Sequence, residues 1–358
     1  MKRRAFLQKA SVGVAASALF GSVHAQARPR VRWRMVTSWP QGLLIQQAAE
    51  ILAKRVEVLT EGQFQIRTYV AGEIVPALQV LDAVQQGTVE CGHTWGPYYI
   101  GKSPSLAFDG GVPFGPNPQQ HNAWYYKGGG MELMQAHHAD FNVIGFPAGN
   151  TGPQMGGWFR KEIRTLADLR GLRMRIGGLG GQVMTRLGAT SQVIPGGEIY
   201  TALERGTVDA AEWVGPYDDE RLGLHKVARF YYYPSWWEPS ASLSLYINLN
   251  EWKKLPQEYQ EALKTAAAET NLVHLALYDH ENQAALDRLV KGGVRLRAYS
   301  REILLAAEKA SKELLEEIAG RDATFRRIYT AWGRYLEGLR QTQRALYHSY
   351  DTFIYSAR

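Results

Sequence analysis

The sequence contains a single cysteine, Cys91, among its 358 residues. One thiol cannot form an intrachain disulfide, and it excludes zinc ribbons, iron–sulfur clusters and c-type haem attachment, which all need several cysteines. Its N-terminal apolar run, from Ala10 to Val23, is about 14 residues long and too short to cross a bilayer as a helix. The fold must therefore be stabilised by core packing, for which ten Trp and nineteen Tyr supply large apolar surfaces.

The N-terminus has the organisation of an export signal. Basic residues are followed by the short apolar run and by Val23-His24-Ala25, a small-residue cleavage pattern. Met1–Ala25 are therefore predicted to be a secretory signal peptide rather than a membrane anchor. The segment Arg3–Lys9 (RRAFLQK) resembles a twin-arginine signal, whose export route carries folded proteins. We expect a periplasmic protein.

Much of the positive charge of the chain belongs to this signal. Removing Met1–Ala25 deletes four basic residues and no acidic ones, which lowers the formal net charge from +7 to +3. A nucleic-acid-binding function then loses its main electrostatic support. The remaining 333 residues are too many for one ordinary core, so they favour two lobes.

Strands and helices alternate in the first part of the chain. Alternating apolar residues predict strands over 31–39 and 63–70, and helical spacing predicts a helix over 42–59 between them. A second helix over 75–86 leads to a short strand over 88–93, a pattern typical of α/β proteins with a parallel sheet. Further strands are predicted over 141–147, 154–160, 172–177 and 243–248, and beyond Pro256 the chain is predicted to be almost wholly helical, with a break near Gly320 and Thr324.

Two segments of the chain are similar in sequence. Ala83–Tyr98 (AVQQGTVECGHTWGPY) and Ala202–Tyr217 (ALERGTVDAAEWVGPY) align without a gap and share Gly-Thr-Val and Gly-Pro-Tyr. Shared turn chemistry could produce this similarity by itself. We favour two similarly built lobes, each of which contributes the carboxyl end of a strand to a shared crevice, where open α/β sheets bind ligands. In this alignment Glu212 lies opposite His93.

Motifs throughout the chain resemble one family of transport proteins. The sequence resembles the periplasmic solute receptors of tripartite ATP-independent periplasmic (TRAP) transporters, above all the subgroup that binds 2-oxo and 2-hydroxy monocarboxylates. The motifs that carry this resemblance, besides the export signal, are QIRTYVAGEIVP (65–76), GTVECGHTWGPYY (87–99), GNTGPQMGGWFRKEI (149–163), GLRMRIGG (171–178) and AAEWVGPYDDE (210–220).

The resemblance implies an α/β fold of the two-lobed periplasmic binding protein type. Each lobe is expected to contain a mixed sheet, with a ligand cleft between the lobes and long helices at the C-terminus. We expect lobe I over 26–147 and about 238–300, lobe II over 148–237, and the C-terminal helices over 301–358.

Arg175 and Glu212 are the central residues of the site that the resemblance implies. A guanidinium held on a rigid strand can donate two parallel hydrogen bonds to a carboxylate, although the residues alone would also allow a surface arginine. The resemblance implies that Arg175 grips the ligand carboxylate. It also implies a cation held by the Glu212 side chain, the Trp213 carbonyl and the Gln154 side-chain oxygen. Such oxygen donors favour calcium or sodium, and counting charges leaves both ions open.

Several other residues are candidates for contact with the ligand. Asn150 is expected either to donate to the keto or hydroxyl oxygen or to form a turn before Thr-Gly-Pro. The short strand over 88–93 is followed, at the predicted cleft, by the aromatic residues Trp95, Tyr98 and Tyr99. For Trp95 a place in the core is an equally good interpretation. His93 is a further candidate.

Two remaining motifs suggest other chemistry. The segment Gly177–Val183 (GGLGGQV) approaches a dinucleotide-binding turn, and Glu198 follows at about the right distance, but the last glycine is missing. His137 and His138 are predicted to lie on a solvated helix face rather than in a metal site.

The sequence thus predicts a solute receptor and not an enzyme. A lactate- or pyruvate-like acid and a bridging calcium or sodium ion are expected to bind between closing lobes. The resemblance implies delivery to separate small and large membrane subunits, and a homodimer formed through the C-terminal helices. The alternatives are an exported metal-dependent enzyme that acts on a keto acid, and a sugar receptor, which the many aromatic residues would suit.

Overall fold

The computed structural model describes residues 28–356, so that the predicted signal peptide lies outside the described residues. The strands of this part of the chain form two sheets. In chain order they are β1 Val31–Thr37, β2 Phe64–Tyr69, β3 Cys91–Thr94, β4 Val143–Asn150, β5 Trp158–Phe159, β6 Arg173–Arg175, β7 Thr190–Gln192, β8 Ala210–Ala211, β9 Phe230–Tyr233, β10 Ser242–Asn248 and β11 Arg295–Ala298.

Helices connect and cover these strands. None of the helices within residues 28–356 is long and apolar enough to span a membrane. In chain order they are α1 Leu44–Leu59, α2 Val80–Gln85, α3 Pro118–Lys127, α4 Gly130–His138, α5 Gly178–Arg186, α6 Ile199–Glu204, α7 Pro216–Arg221, α8 Leu249–Lys254, α9 Gln257–Lys291, α10 Arg301–Arg321, α11 Ala323–Gln343 and α12 Ser349–Ser356.

Lobe I contains a five-stranded mixed sheet in the order β2-β1-β3-β10-β4. β1 runs parallel to β2 and β3, while β10 is antiparallel to β3 and β4. Every residue of β10 is buried, as expected for a strand covered on both faces. Helix α1 packs one face against this sheet, because its apolar residues recur every three or four positions, as at Leu44, Ala48, Leu52 and Val56.

Lobe II contains a six-stranded mixed sheet in the order β11-β9-β5-β8-β6-β7. β6 is parallel to both β7 and β8, and β5 is antiparallel to β8 and β9. The prediction of a mixed sheet in each lobe is therefore confirmed. The strands of the two similar segments are β3 and β8. Each ends on the side of its sheet that faces the other lobe, so that the residues following the two strands lie close together.

Within residues 28–356, the segments that cross between the two sheets include residues 151–157 after β4, residues 234–241 before β10, and the long helix α9. A buried cluster lies where they meet and contains side chains of both lobes, such as Trp39 and Leu44 of lobe I and Trp158 and Trp213 of lobe II.

The structure revises the expected boundary of lobe I. The sequence places residues from about 238 to 300 in lobe I, but residues 295–298 form β11 and pair with β9 in the sheet of lobe II. Helix α9 contains 35 residues and carries the chain back across the molecule before β11 begins. The expected break in the C-terminal helical region is present, since α10 ends at Arg321 and α11 begins at Ala323.

Candidate functional site

Two neighbouring parallel strands bring Arg175 and Glu212 together. β6 ends at Arg175 and β8 ends at Ala211, and these two residues are register partners. The backbone N–H of Glu212 donates to the Arg175 carbonyl oxygen at 3.1 Å. Because the strands are parallel, their carboxyl ends lie at the same sheet edge, which is where α/β sheets bind ligands.

The Arg175 guanidinium is buried and has several partners. Nε donates to the Ile194 carbonyl oxygen at 3.0 Å, and Nη1 donates to the Glu212 carbonyl oxygen at 2.7 Å. Nη1 also forms a buried ion pair with the Glu212 carboxylate, and Nη2 lies 3.4 Å from the Tyr98 hydroxyl. The guanidinium carbon is 5.2 Å from the Trp213 ring centroid, within cation–π range. These contacts fix the guanidinium plane.

Arg175 and Glu212 face a narrow cavity between the lobes, whose volume of about 20 Å³ is enough for about one water molecule. Most of the lining side chains are aromatic or aliphatic, so that a few polar groups determine what can bind. The lining residues are Trp39, Ile45, Trp95, Tyr98, Gln154, Arg175, Glu212, Trp213, Val214, Glu238, Ala241 and Leu243.

One polar side chain in the cavity has an unused acceptor oxygen. Gln154 Nε2 donates to Thr151 Oγ1 at 3.2 Å, but Gln154 Oε1 is buried and has no hydrogen-bond partner among the described residues. Buried acceptors are normally paired, so this oxygen indicates a place for a bound group. Glu238 also lines the cavity and is only 5% exposed.

The two buried acids share one guanidinium. Burial raises the pKa of Glu212, and the charge of Arg175 offsets part of that effect. Burial, and then the nearby charge of Glu212, raise the pKa of Glu238 well above its usual range. Burial lowers the pKa of Arg175, but the surrounding acids and Tyr98 outweigh burial and raise it overall. A cation near the two carboxylates would stabilise their charged forms.

The donor set fits a hard cation. The described residues contain no group of three or more His, Cys, Asp or Glu side chains that could hold a metal ion. A cation beside Glu212 would therefore depend on the Gln154 amide oxygen, on carboxylates and on backbone carbonyls. Such all-oxygen sites suit calcium or sodium rather than zinc or copper.

The structure brings most of the residues singled out from the sequence into one cavity. Trp95 combines both of the roles considered for it, since its ring lines the cavity while its Nε1 donates to the Gly110 carbonyl oxygen at 2.6 Å. Tyr98 faces Arg175 from lobe I, and burial raises the pKa of its hydroxyl. The sequence-predicted residues that line the cavity are Gln154, Arg175, Glu212, Trp213, Trp95 and Tyr98.

Tyr99, Asn150 and His93 do not line the cavity. The Tyr99 hydroxyl lies 2.9 Å from Thr94 Oγ1 within the core of lobe I. Asn150 Oδ1 accepts a hydrogen bond from the Gly152 N–H at 2.8 Å, which is the turn that the sequence allowed as an alternative. These polar groups are used inside the protein, so the geometry does not support direct ligand contacts for them.

His93 supports a cavity residue that the sequence analysis missed. Trp39 lines the cavity, and its Nε1 donates to His93 Nδ1 at 2.8 Å. His93 Nε2 therefore carries the proton and donates to the Ala148 carbonyl oxygen at 2.9 Å. Burial lowers the pKa of His93 to about 4, which keeps the ring neutral. The position of Trp39 just beyond β1 was the signal that could have identified it.

The other missed residues are Glu238 and four aliphatic side chains. Glu238 lies in the crossing segment 234–241, and its sequence signal is an acid placed directly after Trp236-Trp237. The aliphatic lining residues are Ile45, Val214, Ala241 and Leu243.

The two remaining motifs have structural explanations. A Cβ atom at Gly177 or Gly178 would lie only 3.0 Å from the Trp95 ring, so this glycine pair permits close packing between the lobes. His137 and His138 are both buried, and His138 Nε2 lies 2.9 Å from the buried Asp109 carboxylate. The prediction of a solvated face was wrong, because α4 packs this face against β4 of lobe I.

Comparisons with known proteins agree with this architecture. The monocarboxylate 2-oxoacid-binding periplasmic protein of Nostoc sp. is 55% identical over an alignment of 364 positions, which covers 100% of both chains. A TRAP transporter solute binding protein from Bordetella bronchiseptica, solved as a mixed occupancy dimer with copurified calcium and picolinate, is 46% identical with a TM-score of 0.91 over 92% of this chain and 98% of its own. The TRAP periplasmic solute binding protein of Pseudoalteromonas atlantica, solved with bound sodium and pyruvate, is 38% identical with a TM-score of 0.87 over 90% of this chain and 98% of its own.

A match to a protein family spans most of the chain. Residues 35–322 match the DctP family, described as bacterial extracellular solute-binding protein, family 7. This region includes the sheet of lobe II, all but the first four residues of the sheet of lobe I, and all the residues that line the cavity. The chain therefore belongs to the DctP family and is a TRAP solute receptor.

Proposed function

We propose that this receptor binds a small 2-oxo or 2-hydroxy monocarboxylate, similar to pyruvate or lactate, together with a calcium or sodium ion. The observation that carries the proposal is the pairing of Arg175 with Glu212 inside a small cavity that also contains the unpaired oxygen of Gln154. The ligands named for the similar proteins, which are pyruvate, picolinate and a 2-oxoacid, support the same class.

Each polar residue has a distinct role in this proposal. Arg175 donates to the ligand carboxylate, because its planar guanidinium is already fixed by Ile194 and Glu212. Gln154 Oε1, the Glu212 carboxylate and the Trp213 carbonyl hold the cation. The ligand contributes a carboxylate oxygen and its adjacent keto or hydroxyl oxygen to the same ion. Acetate lacks that second oxygen, so it should bind much more weakly.

Glu238 changes the charge balance expected from the sequence. With Glu238 ionised, the cavity contains two carboxylates and one guanidinium, and a bound monocarboxylate brings the net charge to −2. One calcium ion neutralises this charge. Sodium reaches neutrality only when Glu238 keeps its proton, which the raised pKa of this acid favours. The protonation state of Glu238 therefore decides which ion the site prefers.

Capture is proposed to involve closure of the two lobes in the periplasm. Trp39, Trp95 and Tyr98 of lobe I lie across the cavity from Arg175 and Glu212 of lobe II, so that a ligand between them contacts both lobes. Such a ligand shifts the receptor towards the closed form by its differential affinity. The closed receptor then delivers its ligand to the membrane subunits of the transporter, whose small and large components the sequence led us to expect.

The C-terminal helices are proposed to form a homodimer. Leu346, Tyr350 and Phe353 recur at helical spacing and are 65%, 64% and 68% exposed, which is unusual for such large apolar side chains. The Bordetella bronchiseptica protein was itself solved as a dimer. Phe353→Glu should reduce the mass measured by light scattering to that of a monomer. An unchanged mass would remove this helix from the interface.

Titration calorimetry tests the proposed ligand. Pyruvate should bind in the presence of calcium or sodium and should lose affinity when the ions are removed, whereas acetate serves as the control without a 2-oxo group. Binding of pyruvate that is independent of the ions would contradict the bridging role. Binding of sugars in place of the acids would support the sugar receptor.

A second assay addresses the enzyme alternative. The purified protein, incubated with pyruvate or lactate and an electron acceptor, should leave the acid unchanged, because Arg175 and Glu212 are assigned to binding. Turnover at a rate that depends on Glu212 would overturn the interpretation of the protein as a receptor only.

A further inference from the structure

Asp218 joins the two lobes through the start of a helix. It lies in α7 of lobe II and is fully buried. Its carboxylate accepts hydrogen bonds from the backbone N–H groups of Leu44 at 2.8 Å and Ile45 at 3.3 Å, at the start of α1 in lobe I. Leu43, the residue at the N-cap position of α1, provides no side-chain cap. A carboxylate from the opposite lobe therefore satisfies N–H groups that helices leave free.

The Leu44 peptide group is held from both sides. Its N–H donates to Asp218 of lobe II, and its carbonyl oxygen accepts from His274 Nε2 of α9 at 2.9 Å. The tautomer follows from the other ring nitrogen, since His274 Nδ1 accepts from the backbone N–H of Asn150 at 3.2 Å. Tyr278, one helical turn further along α9, donates its hydroxyl to Asp218 at 2.5 Å. Asp218 is thus fixed by donors on α1 of lobe I and on α9, the helix that crosses between the lobes.

Both sides of this contact lead directly to the ligand cavity. Ile45, whose N–H contacts Asp218, lines the cavity from lobe I. On the other side, Asp218 belongs to the segment that follows Glu212, Trp213 and Val214, which line the cavity from lobe II. A movement that separates α7 of lobe II from α1 of lobe I would therefore stretch the contact between Asp218 and α1.

We propose that Asp218 is an inter-lobe cap that stabilises the closed, ligand-loaded receptor by binding the N-terminus of α1. In this role Asp218 is a positioning residue that does not touch the ligand. It slows ligand release, because opening of the lobes has to break charge-assisted hydrogen bonds as well as the contacts of the ligand itself. The inference rests on the proposed function only for the identity of the ligand.

The test compares two helix caps that differ in whether they connect the lobes. Asp218→Asn keeps the shape of the side chain but removes the charge. The matched control is Asp322→Asn, because Asp322 caps α11 within its own chain segment, accepting from the Phe325 N–H at 2.8 Å, and lies away from the cavity. Tyr278→Phe removes one donor to Asp218 without altering the carboxylate, and it serves as the second variant if Asp218→Asn does not fold. Pyruvate binding in the presence of calcium is measured by calorimetry and by stopped-flow fluorescence.

Asp218→Asn should bind pyruvate at least about tenfold more weakly, with the loss in the dissociation rate and little change in the association rate. Tyr278→Phe should show the same pattern to a smaller extent, and Asp322→Asn should bind like the wild type. A purely structural effect would instead reduce the fraction of active protein and leave both rate constants unchanged, and that result would overturn the proposal. Equal dissociation rates in all four proteins would do the same.

Hydrogen exchange tests the cap independently of the identity of the ligand. If the wild type binds no 2-oxo acid, the proposed function fails, yet exchange at the Leu44 and Ile45 amides still reports on the cap. The amides should exchange faster in Asp218→Asn than in the wild type or in Asp322→Asn. Unchanged exchange would show that Asp218 does not hold α1.

Discussion

Replacement of Arg175 tests the core of the proposed binding mechanism. The sequence alone suggests that Arg175→Ala would abolish binding and leave the fold intact. The structure changes that expectation, because Arg175 pairs with the buried carboxylate of Glu212. Removing one partner of a buried ion pair typically costs about 3–5 kcal/mol. That is a large part of the roughly 5–15 kcal/mol that stabilises an ordinary domain.

Arg175→Lys is therefore the more informative variant. It keeps the positive charge beside Glu212 but loses the planar group that also donates to Ile194 and to the Glu212 carbonyl. Loss of one charge-assisted hydrogen bond to the ligand is worth about 1.5–3 kcal/mol, so pyruvate affinity should fall by about 10- to 150-fold. Calorimetry measures the affinity, and urea unfolding shows whether the fold is retained.

A double-mutant cycle with Glu212→Gln completes this test. Glu212→Gln should weaken calcium and pyruvate binding together, because the same carboxylate holds the ion that the acid chelates. The two substitutions should be non-additive in stability by about 0.5–3 kcal/mol, as is usual for residues in direct contact. If Arg175→Lys binds pyruvate within a factor of three of the wild type while remaining folded, Arg175 does not grip the carboxylate.

Three further predictions follow from the cavity and its surroundings. Glu238→Gln should weaken pyruvate binding by at least about tenfold in the presence of calcium and leave it unchanged in the presence of sodium, as measured by calorimetric titration in each ion. Equal losses of affinity in the two ions would mean that Glu238 does not set the charge balance. Trp39→Phe leaves His93 Nδ1 without its donor, so it should cost about 1–3 kcal/mol of unfolding free energy and weaken pyruvate binding, whereas Trp33→Phe in β1 should not alter affinity. Burial raises the pKa of Asp219 to about 7, so between about pH 4 and pH 7 the folded state keeps a proton that the unfolded state has released. The free energy of unfolding therefore falls as pH rises through this range. Urea unfolding at pH 5 and pH 8 should show a smaller fall in that free energy for Asp219→Asn than for the wild type.

Most of the fold follows from hydrophobic periodicity, and the exception has a physical reason. β1, α1 and β2 are found close to their predicted ranges, because their apolar residues face the core. β11 was missed and its residues were counted with lobe I. It is an edge strand whose four residues are all at least partly exposed, and its alternation of basic and apolar residues, RLRA, is too short to distinguish a strand from a loop. The turn at Gly292-Gly293 was the available signal for the end of α9.

The sequence predicts the site residues that lie at strand ends, but it does not predict those that lie in the segments crossing between the lobes. Arg175 and Glu212 follow from two strands of one sheet, so their proximity can be inferred from sequence order and parallel pairing. Glu238 lies in the crossing segment 234–241, whose path is fixed by the way the lobes pack. No local pattern specifies that path. The turn that directs Asn150 away from the cavity differs, because Asn before Thr-Gly-Pro is a local pattern that already allowed it.

The segment from Asp209 to Glu220 shows why its acids cannot be exchanged for one another. Glu212 faces the cavity, while Asp219 turns back into lobe II and accepts hydrogen bonds from the Val214 N–H at 3.1 Å and the Trp158 Nε1 at 2.9 Å. Asp218 points the other way and caps α1 of lobe I. Successive acids at the start of one short helix thus fix the loop that carries Glu212 and Trp213 and connect that loop to the opposite lobe. A ligand that draws Glu212 towards a cation consequently acts on a loop that is anchored in both lobes, which gives binding and closure a common physical basis.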